Sequence, residues 1–191
     1  MRLTNIFKHF HTINKHRFYV FRLSVRAGVP LQGLVHDLSK YSCVEFFEGV
    51  RFYQGEYSPI HNAYKKLGYS NAWLHHKGRN RHHYEYWYDY GLEKPAILMP
   101  YKYFAEMVCD QLAAGMVYDG DKWNNSSQLK YWMRAREKAR IDERIDKALV
   151  KVYTEVEKYG VKKVVNSKNL KKIYNECVGE KNESCFSKWI S

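Results

Sequence analysis

Four groups of side chains in this 191-residue chain are of types that bind divalent metal ions. The first is the doublet His36-Asp37, which closes the apolar turn Leu34-Val35 and precedes Leu38-Ser39-Lys40. A carboxylate among apolar neighbours is costly to bury unless a cation meets it. Imidazole nitrogen and carboxylate oxygen form a mixed donor set that suits Mn, Fe, Co, Ni or Zn without selecting among them. The second group is the run His75-His76-Lys77-Gly78-Arg79-Asn80-Arg81-His82-His83. Gly78 and Asn80 permit a bend, so a histidine of each pair could turn inward to a shared ion. His76, His82 and His83 are the candidates, with the choice within each pair open. The interleaved Lys77, Arg79 and Arg81 also fit a basic surface loop.

Asp110 is the third element, the polar member of the stripe Tyr103, Met107, Asp110, Ala114. A carboxylate on a buried face requires a metal or a cationic partner, and an arginine would serve as well as an ion. Glu106, one turn earlier, is either a support for a ligand or a surface acid. The fourth element is His16, on the inward stripe between Ile13 and Val20, with His9 on the same face as the fallback.

The elements that must position these groups are helices. Ile6, Phe10, Ile13, Arg17, Val20 and Ser24 share one helical stripe, widened by Phe7, Phe21 and Val25. Gly28-Val29-Pro30 ends that helix, and Leu31, Leu34, Val35 and Leu38 give a short apolar face to the next. Ser42-Cys43-Val44-Glu45 reads as a capping box, in which each side chain satisfies a free N–H of the same turn. Ser58-Pro59, Ser70 and Asn80 read as further helix starts. Pro95 and Pro100 bracket a loop and the start of a helix to about Tyr118. Ser126 then opens one long amphipathic helix ending at Tyr159-Gly160, with Leu129, Trp132, Met133, Ile141, Ile145, Leu149, Val152 and Val156 on its apolar side. The expected fold is all-α, with a helical domain over residues 1–160 and a basic C-terminal extension over 161–191 that holds one short helix near Leu170–Tyr174.

Composition narrows the class. Hydrophobic residues form 45% and aromatics 16%, enough for a packed core and against wholesale disorder. The 17 tyrosines pack rings while leaving hydroxyls for water or a ligand, as a wet groove requires. No apolar run reaches membrane-spanning length and the first residues are too polar for a signal peptide, so cytoplasmic residence is expected. Cys43, Cys109, Cys177 and Cys185 form no C-x-x-C pair; they read as reduced thiols, with Cys177–Cys185 pairing only in an oxidising setting. A net charge of +12 favours an anionic partner, a nucleotide or a nucleic acid, and long aromatic helices allow a homodimer.

His16, then His36-Asp37-Leu38-Ser39-Lys40, then a histidine cluster, then Asp110, resembles the HD-domain superfamily. That family's signature is an isolated His, a doublet often read H-D-I-G-K, extra histidines and a late Asp, all on helices. H-D-L-S-K, N-x-H-H-x-E-Y-W (Asn80 to Trp87) and E-M-x-C-D (Glu106 to Asp110) more closely resemble an uncharacterised family of bacteria and their viruses. The resemblance covers about residues 10–118. It implies an HD-like helical bundle in which His16, His36, Asp37 and Asp110 hold one ion, while the 75–83 histidines hold a second or bind phosphate. It also implies metal-dependent phosphoester hydrolysis, with Mn, Fe, Ni, Co, Zn or Mg. Asp37 would bridge ions or orient water, and Lys40, Arg79 and Arg81 would neutralise phosphate charge. Tyr84, Tyr86 and Trp87 would stack a base. Two alternatives use the same residues: an HD-fold di-iron oxygenase, and a basic nucleic-acid-binding protein with a structural metal.

Overall fold

The computed structural model describes residues 3–179, which form ten α-helices and no strand; the one β feature among them is a single antiparallel bridge between Tyr88 and Ala96. The fold is all-α. The helices are α1 (Leu3–Ala27), α2 (Pro30–Val35), α3 (Cys43–Phe52), α4 (Pro59–Leu67), α5 (Asn71–Lys77), α6 (Tyr101–Tyr118), α7 (Ser127–Ala135), α8 (Glu143–Tyr159), α9 (Val161–Val164) and α10 (Ser167–Val178). No helix among the described residues is long and apolar enough to cross a membrane.

α6 is the central helix. Its Phe104, Ala105, Met107, Val108 and Leu112 are buried; it packs against α1 and shares one core cluster with Val20, Leu23 and Ala27 of α1 and Ile145, Leu149, Val152 and Tyr153 of α8. Glycine sets the approach of α2 to α1: a Cβ on Gly33 would lie 2.5 Å from the Ser24 Cβ and 3.1 Å from the Phe21 Cα. That closeness places the turn after α2 directly over the inward face of α1.

The buried face of α1 differs from the expected stripe. His9, Ile13, His16, Val20, Leu23, Ser24 and Ala27 point inward, whereas Phe7, Phe10, Phe21 and Val25 are exposed, as are Leu31, Leu34, Val35 and Leu38. Two apolar arcs run along α1, and hydrophobicity alone does not say which one meets α6. The long helix from Ser126 is two helices. α7 stops after Ala135, the stretch to Asp142 leaves the helix, and the Asp142 carboxylate caps α8 by accepting from the Arg144 N–H at 2.9 Å. The Trp132 indole donates to Asp146 Oδ1 at 2.9 Å and the Arg136 Nε at 3.1 Å, holding α7 folded back on α8. Asn80 starts no α-helix; residues 78–100 form a loop with one 3₁₀ turn at Tyr84–Trp87.

The chain beyond Gly160 is not a separate tail as far as residue 179. Val164, Val165, Leu170, Ile173 and Tyr174 are buried in the common core, and the Tyr174 hydroxyl donates to the Met99 carbonyl at 2.7 Å. Its lysines are exposed and its few apolar residues turn into the core it shares with α8, α6 and α1, which is why it reads as thinly apolar in sequence. Cys43, Cys109 and Cys177 are free thiols; Cys185 lies outside the described residues. Ile173→Ala should therefore cost about 2–5 kcal/mol of unfolding free energy. Urea denaturation measures it, and a change within about 0.5 kcal/mol, the size usual at surface positions, would show that α10 does not belong to the core.

Candidate metal centre

The centre begins with a backbone corner. In a helix, neighbouring residues point about 100° apart and cannot serve one site together. Here α2 ends at Val35, and Asp37 takes φ 55° and ψ 25°, the left-handed region; among the described residues it is the one non-glycine with positive φ. The turn sends both His36 and Asp37 inward. Such a conformation costs on the order of 1 kcal/mol for an L-residue, least for Asp and Asn, and the surroundings hold it. Arg17 donates from Nε to the His36 carbonyl at 2.8 Å and from Nη2 to the Leu34 carbonyl at 2.9 Å, tying the end of α2 to α1.

Six of the seven predicted ligands meet around the seventh, Asp37. Donor atoms of His16, His36, Asp37 and Asp110 lie within 4.8 Å of one another, as do those of Asp37, His76, His82 and His83. Asp37 belongs to both groups and divides its oxygens between them. Oδ2 is 3.3 Å from His36 Nε2 and 3.7 Å from His16 Nε2, while Oδ1 is 3.2 Å from His76 Nε2 and 3.5 Å from His82 Nε2. Asp110 Oδ1 closes the first group at 3.0 Å from His16 Nε2 and 3.4 Å from His36 Nε2. His76 is the inward member of its pair, and both His82 and His83 turn in.

The far sides of the imidazoles are anchored by carboxylates. Glu106 Oε1 accepts from His36 Nδ1 at 2.9 Å and faces His82 Nδ1 at 3.0 Å; Glu45 accepts from His75 Nδ1 at 2.6 Å and from His76 Nδ1 at 2.7 Å. A proton fixed on Nδ1 leaves Nε2 free with its lone pair toward the centre, the arrangement that metal-binding histidines use. Glu106 thus supports ligands rather than facing water. Glu45 was missed in the sequence, where it reads as half of a capping box. Ser42 does accept from the Glu45 N–H, at 3.4 Å, but the Glu45 carboxylate leaves that turn for the histidines. A glutamate between Cys43-Val44 and Phe46-Phe47 was the available signal. Asn80 supports the same side, donating to Ser39 Oγ and to the His76 carbonyl, both at 2.8 Å.

Electrostatics and unpaired atoms fit a cation. Asp37 Oδ1, His82 Nε2 and His83 Nε2 are buried without a hydrogen-bond partner, all facing this one point. Such atoms are expensive to leave unsatisfied, and imidazole nitrogen with carboxylate oxygen is the donor set of a divalent transition metal. The groups could hold one or two metal ions. Burial opposes charge on Asp37, yet His36, Lys40 and His76 hold its carboxyl well below the usual range. Burial likewise opposes charge on Asp110, which hydrogen bonds from His16 and His36 hold low. Against burial, Asp37 and Asp110 raise His36, while burial dominates at His16 and His83 and lowers both. Lys40 Nζ is 2.6 Å from Asp37 Oδ2; burial works against its charge, but Asp37 and Asp110 raise its pKa.

His16, Lys40, His76, His83 and Asp110 lie on the wall of a cavity of about 700 Å³, together with Tyr57, Trp73, Tyr84, Tyr118 and Tyr131. Of the residues expected beside a substrate, Lys40 and Tyr84 lie on this wall. Arg79 and Arg81 are not brought to this cavity, which corrects their expected place beside a substrate. Arg79 is exposed and donates to the His75 carbonyl, and Arg81 lies over the rings of Tyr86 and Tyr103 on the outer surface. The loop that turns four histidines toward or behind the centre turns the arginines between them away. His9 belongs to neither ligand group; it packs on Phe46 and Tyr53, where a Cβ on Gly49 would meet its ring.

Fold and centre together define an all-α protein with a buried histidine–aspartate cluster able to hold metal. The chain belongs to the family described as "Family of unknown function (DUF5662)", which matches residues 5–155 and so spans every candidate ligand. Neither the curated proteins nor the solved structures contain a match.

Two outcomes follow from this geometry. Asp37→Asn, which keeps a residue suited to the left-handed corner, should remove all bound metal while the far-ultraviolet circular dichroism stays unchanged. His83→Ala should lower only the second group's share; elemental analysis of the purified proteins reads both, and full metal content in Asp37→Asn would refute the shared-ligand arrangement. After chelation, stability should fall as pH drops below about 6.5, the unfolded histidine value. His16 and His83, whose folded pKa values are lowered, then take up protons in the unfolded state first. Asp37, Asp110, Glu45 and Glu106 are also lowered, so their contributions, present above about pH 4, are lost on further acidification. Urea midpoints across this range measure the effect, and a flat profile would contradict it.

Proposed function

We propose that the protein is a metal-dependent phosphohydrolase of the HD-domain kind, acting on a nucleotide or a similar phosphoester. The observation that carries this reading is one buried carboxylate, Asp37, shared by two ligand groups whose His16, Asp110, His76 and His83 reach the wall of an aromatic cavity, with Lys40 beside it. A bound divalent ion, drawn from Mn, Fe, Co, Ni, Zn and Mg, would supply a water of lowered pKa and a polarised phosphoryl oxygen.

The chain's own residues do the rest. Glu106 and Glu45 keep His36 and His76 in the tautomer that presents Nε2 inward. Lys40 keeps its proton through the neutral range and offers the developing phosphate charge a fixed cation. Among the described residues no other Lys and no Arg lines the cavity, while Glu56, Glu85 and Asp119 do. The walls therefore suit one phosphoryl group joined to a flat, hydrogen-bonding organic part rather than a long polyanion. Tyr57, Trp73, Tyr84 and Tyr131 offer rings to such a part, worth about 1–3 kcal/mol per stacked base.

The same shared carboxylate favours a second reading, oxidation of a substrate by oxygen at paired irons. Metal analysis separates the two: paired iron with a visible charge-transfer band supports the oxygenase, whereas Mn, Co, Ni or Zn supports the hydrolase. For the hydrolase, Lys40→Ala should lower kcat/KM about 10²–10³-fold on a nucleotide panel with metal content retained, and His36→Ala should abolish turnover. No phosphate release from any nucleotide with any of these metals would overturn the proposal.

A further inference from the structure

The side of α1 that does not meet α6 carries Leu3, Phe7, Phe10, Phe18, Phe21 and Val25, in steps of four and three with Asn14 at the remaining position. Leu3 is 74% exposed, Phe7 75% and Phe18 57%. α2 continues the surface with Leu31 at 71%, Leu34 at 59% and Val35 at 58%, followed by Leu38, and Gly33 holds it against Phe21. At these exposures the ten side chains offer roughly 1,000 Å², whereas the largest apolar patch on a typical monomer is about 300–600 Å² and a stable interface needs about 800 Å² from each partner.

We propose that this face joins two copies of the chain in a symmetric homodimer, α1 against α1 with α2 on the rim. Apolar residues in steps of three and four along a 25-residue helix form the seam that an identical helix fills with interlocking side chains. The area matches what such a pair requires. Charge identifies the rival occupant: Lys8, Lys15, Arg22 and Arg26 flank the seam, and the one acid within residues 3–38 is the buried Asp37. An anionic bilayer would be attracted by that flank, whereas a second copy must bury the seam in spite of it. The two occupants therefore respond to salt in opposite senses, because screening relieves repulsion between basic flanks and weakens attraction to anionic lipid. The seam also lies on the outer side of the elements that carry His16 and the His36–Asp37 corner, so a dimer braces both without entering the cavity. This inference is independent of the proposed activity.

Sedimentation of the full chain over a micromolar dilution series tests it. The expected result is a dimer that holds or tightens between low and high salt, and that becomes monomeric in Phe7→Asp/Phe18→Asp with circular dichroism and metal content unchanged. Leu34→Asp, on α2, should weaken the dimer without touching α1 and keeps the test open if the double variant fails to fold. A monomer at all concentrations would overturn the proposal, as would a dimer that neither variant weakens. So would binding to phosphatidylserine vesicles that is lost in salt while the free protein remains monomeric.

Discussion

A carboxylate buried among imidazoles at a left-handed corner is the constraint on which this structure is built. Asp37 is almost wholly inaccessible, and its charge is tolerable only because His36, Lys40 and His76 surround it. The corner itself stays in place because Arg17 takes up the carbonyls at the end of α2 and Gly33 lets α2 lie against α1. Remove the corner, and two adjacent residues can no longer face one point. The fold can be understood as the means of keeping that corner closed.

The supporting carboxylates show how the load is shared. Glu106 comes from the central helix α6 and Glu45 from α3, and each grips two histidines through Nδ1. They set the tautomers, orient the rings and offset part of the cost of gathering so many polar groups away from water. α6 contributes both a candidate ligand, Asp110, and a support, Glu106, one turn apart, from a helix that is otherwise the middle of the hydrophobic core. Candidate metal ligation and core packing therefore meet in the same element. The cavity is lined by α6 and α1 as well as by α3, α4, α5, α7 and the loop around Tyr84, which bring rings and acids to its wall.

The net positive charge has a place in this picture that differs from a substrate funnel. Among the described residues Lys40 is the one Lys or Arg on the cavity wall; the arginines of the histidine loop face outward, and the basic residues of α1 flank an apolar seam. Apart from Lys40, these basic residues thus lie on the surface rather than on the cavity wall. What the cavity presents is the candidate metal cluster, one ammonium group and aromatic rings.

Much of the centre was legible in the sequence because its chemistry is dense. His16, His36, Asp37, His76, His82, His83 and Asp110 are residues whose burial on apolar stripes or in a tight cluster demands an explanation, and all seven converge. The all-α class followed from helical spacing and clear caps. What sequence spacing did not determine were choices between equivalent faces and partners. α1 has two apolar arcs, and only packing on α6 decided which is inside. Glu45 sits where a capping glutamate belongs, and only the approach of α5 drew it to His75 and His76. The run from Ser126 to Tyr159 looks continuous, but the bonds of Trp132 and Arg136 to Asp146 fold it in two. Residues beyond Gly160 look like a solvated extension, and only the positions of α6 and α8 show that Leu170, Ile173 and Tyr174 complete the core. Local residue types state which groups need a partner; which partner each one finds depends on contacts between residues far apart in the chain, and those exist only once the helices have packed.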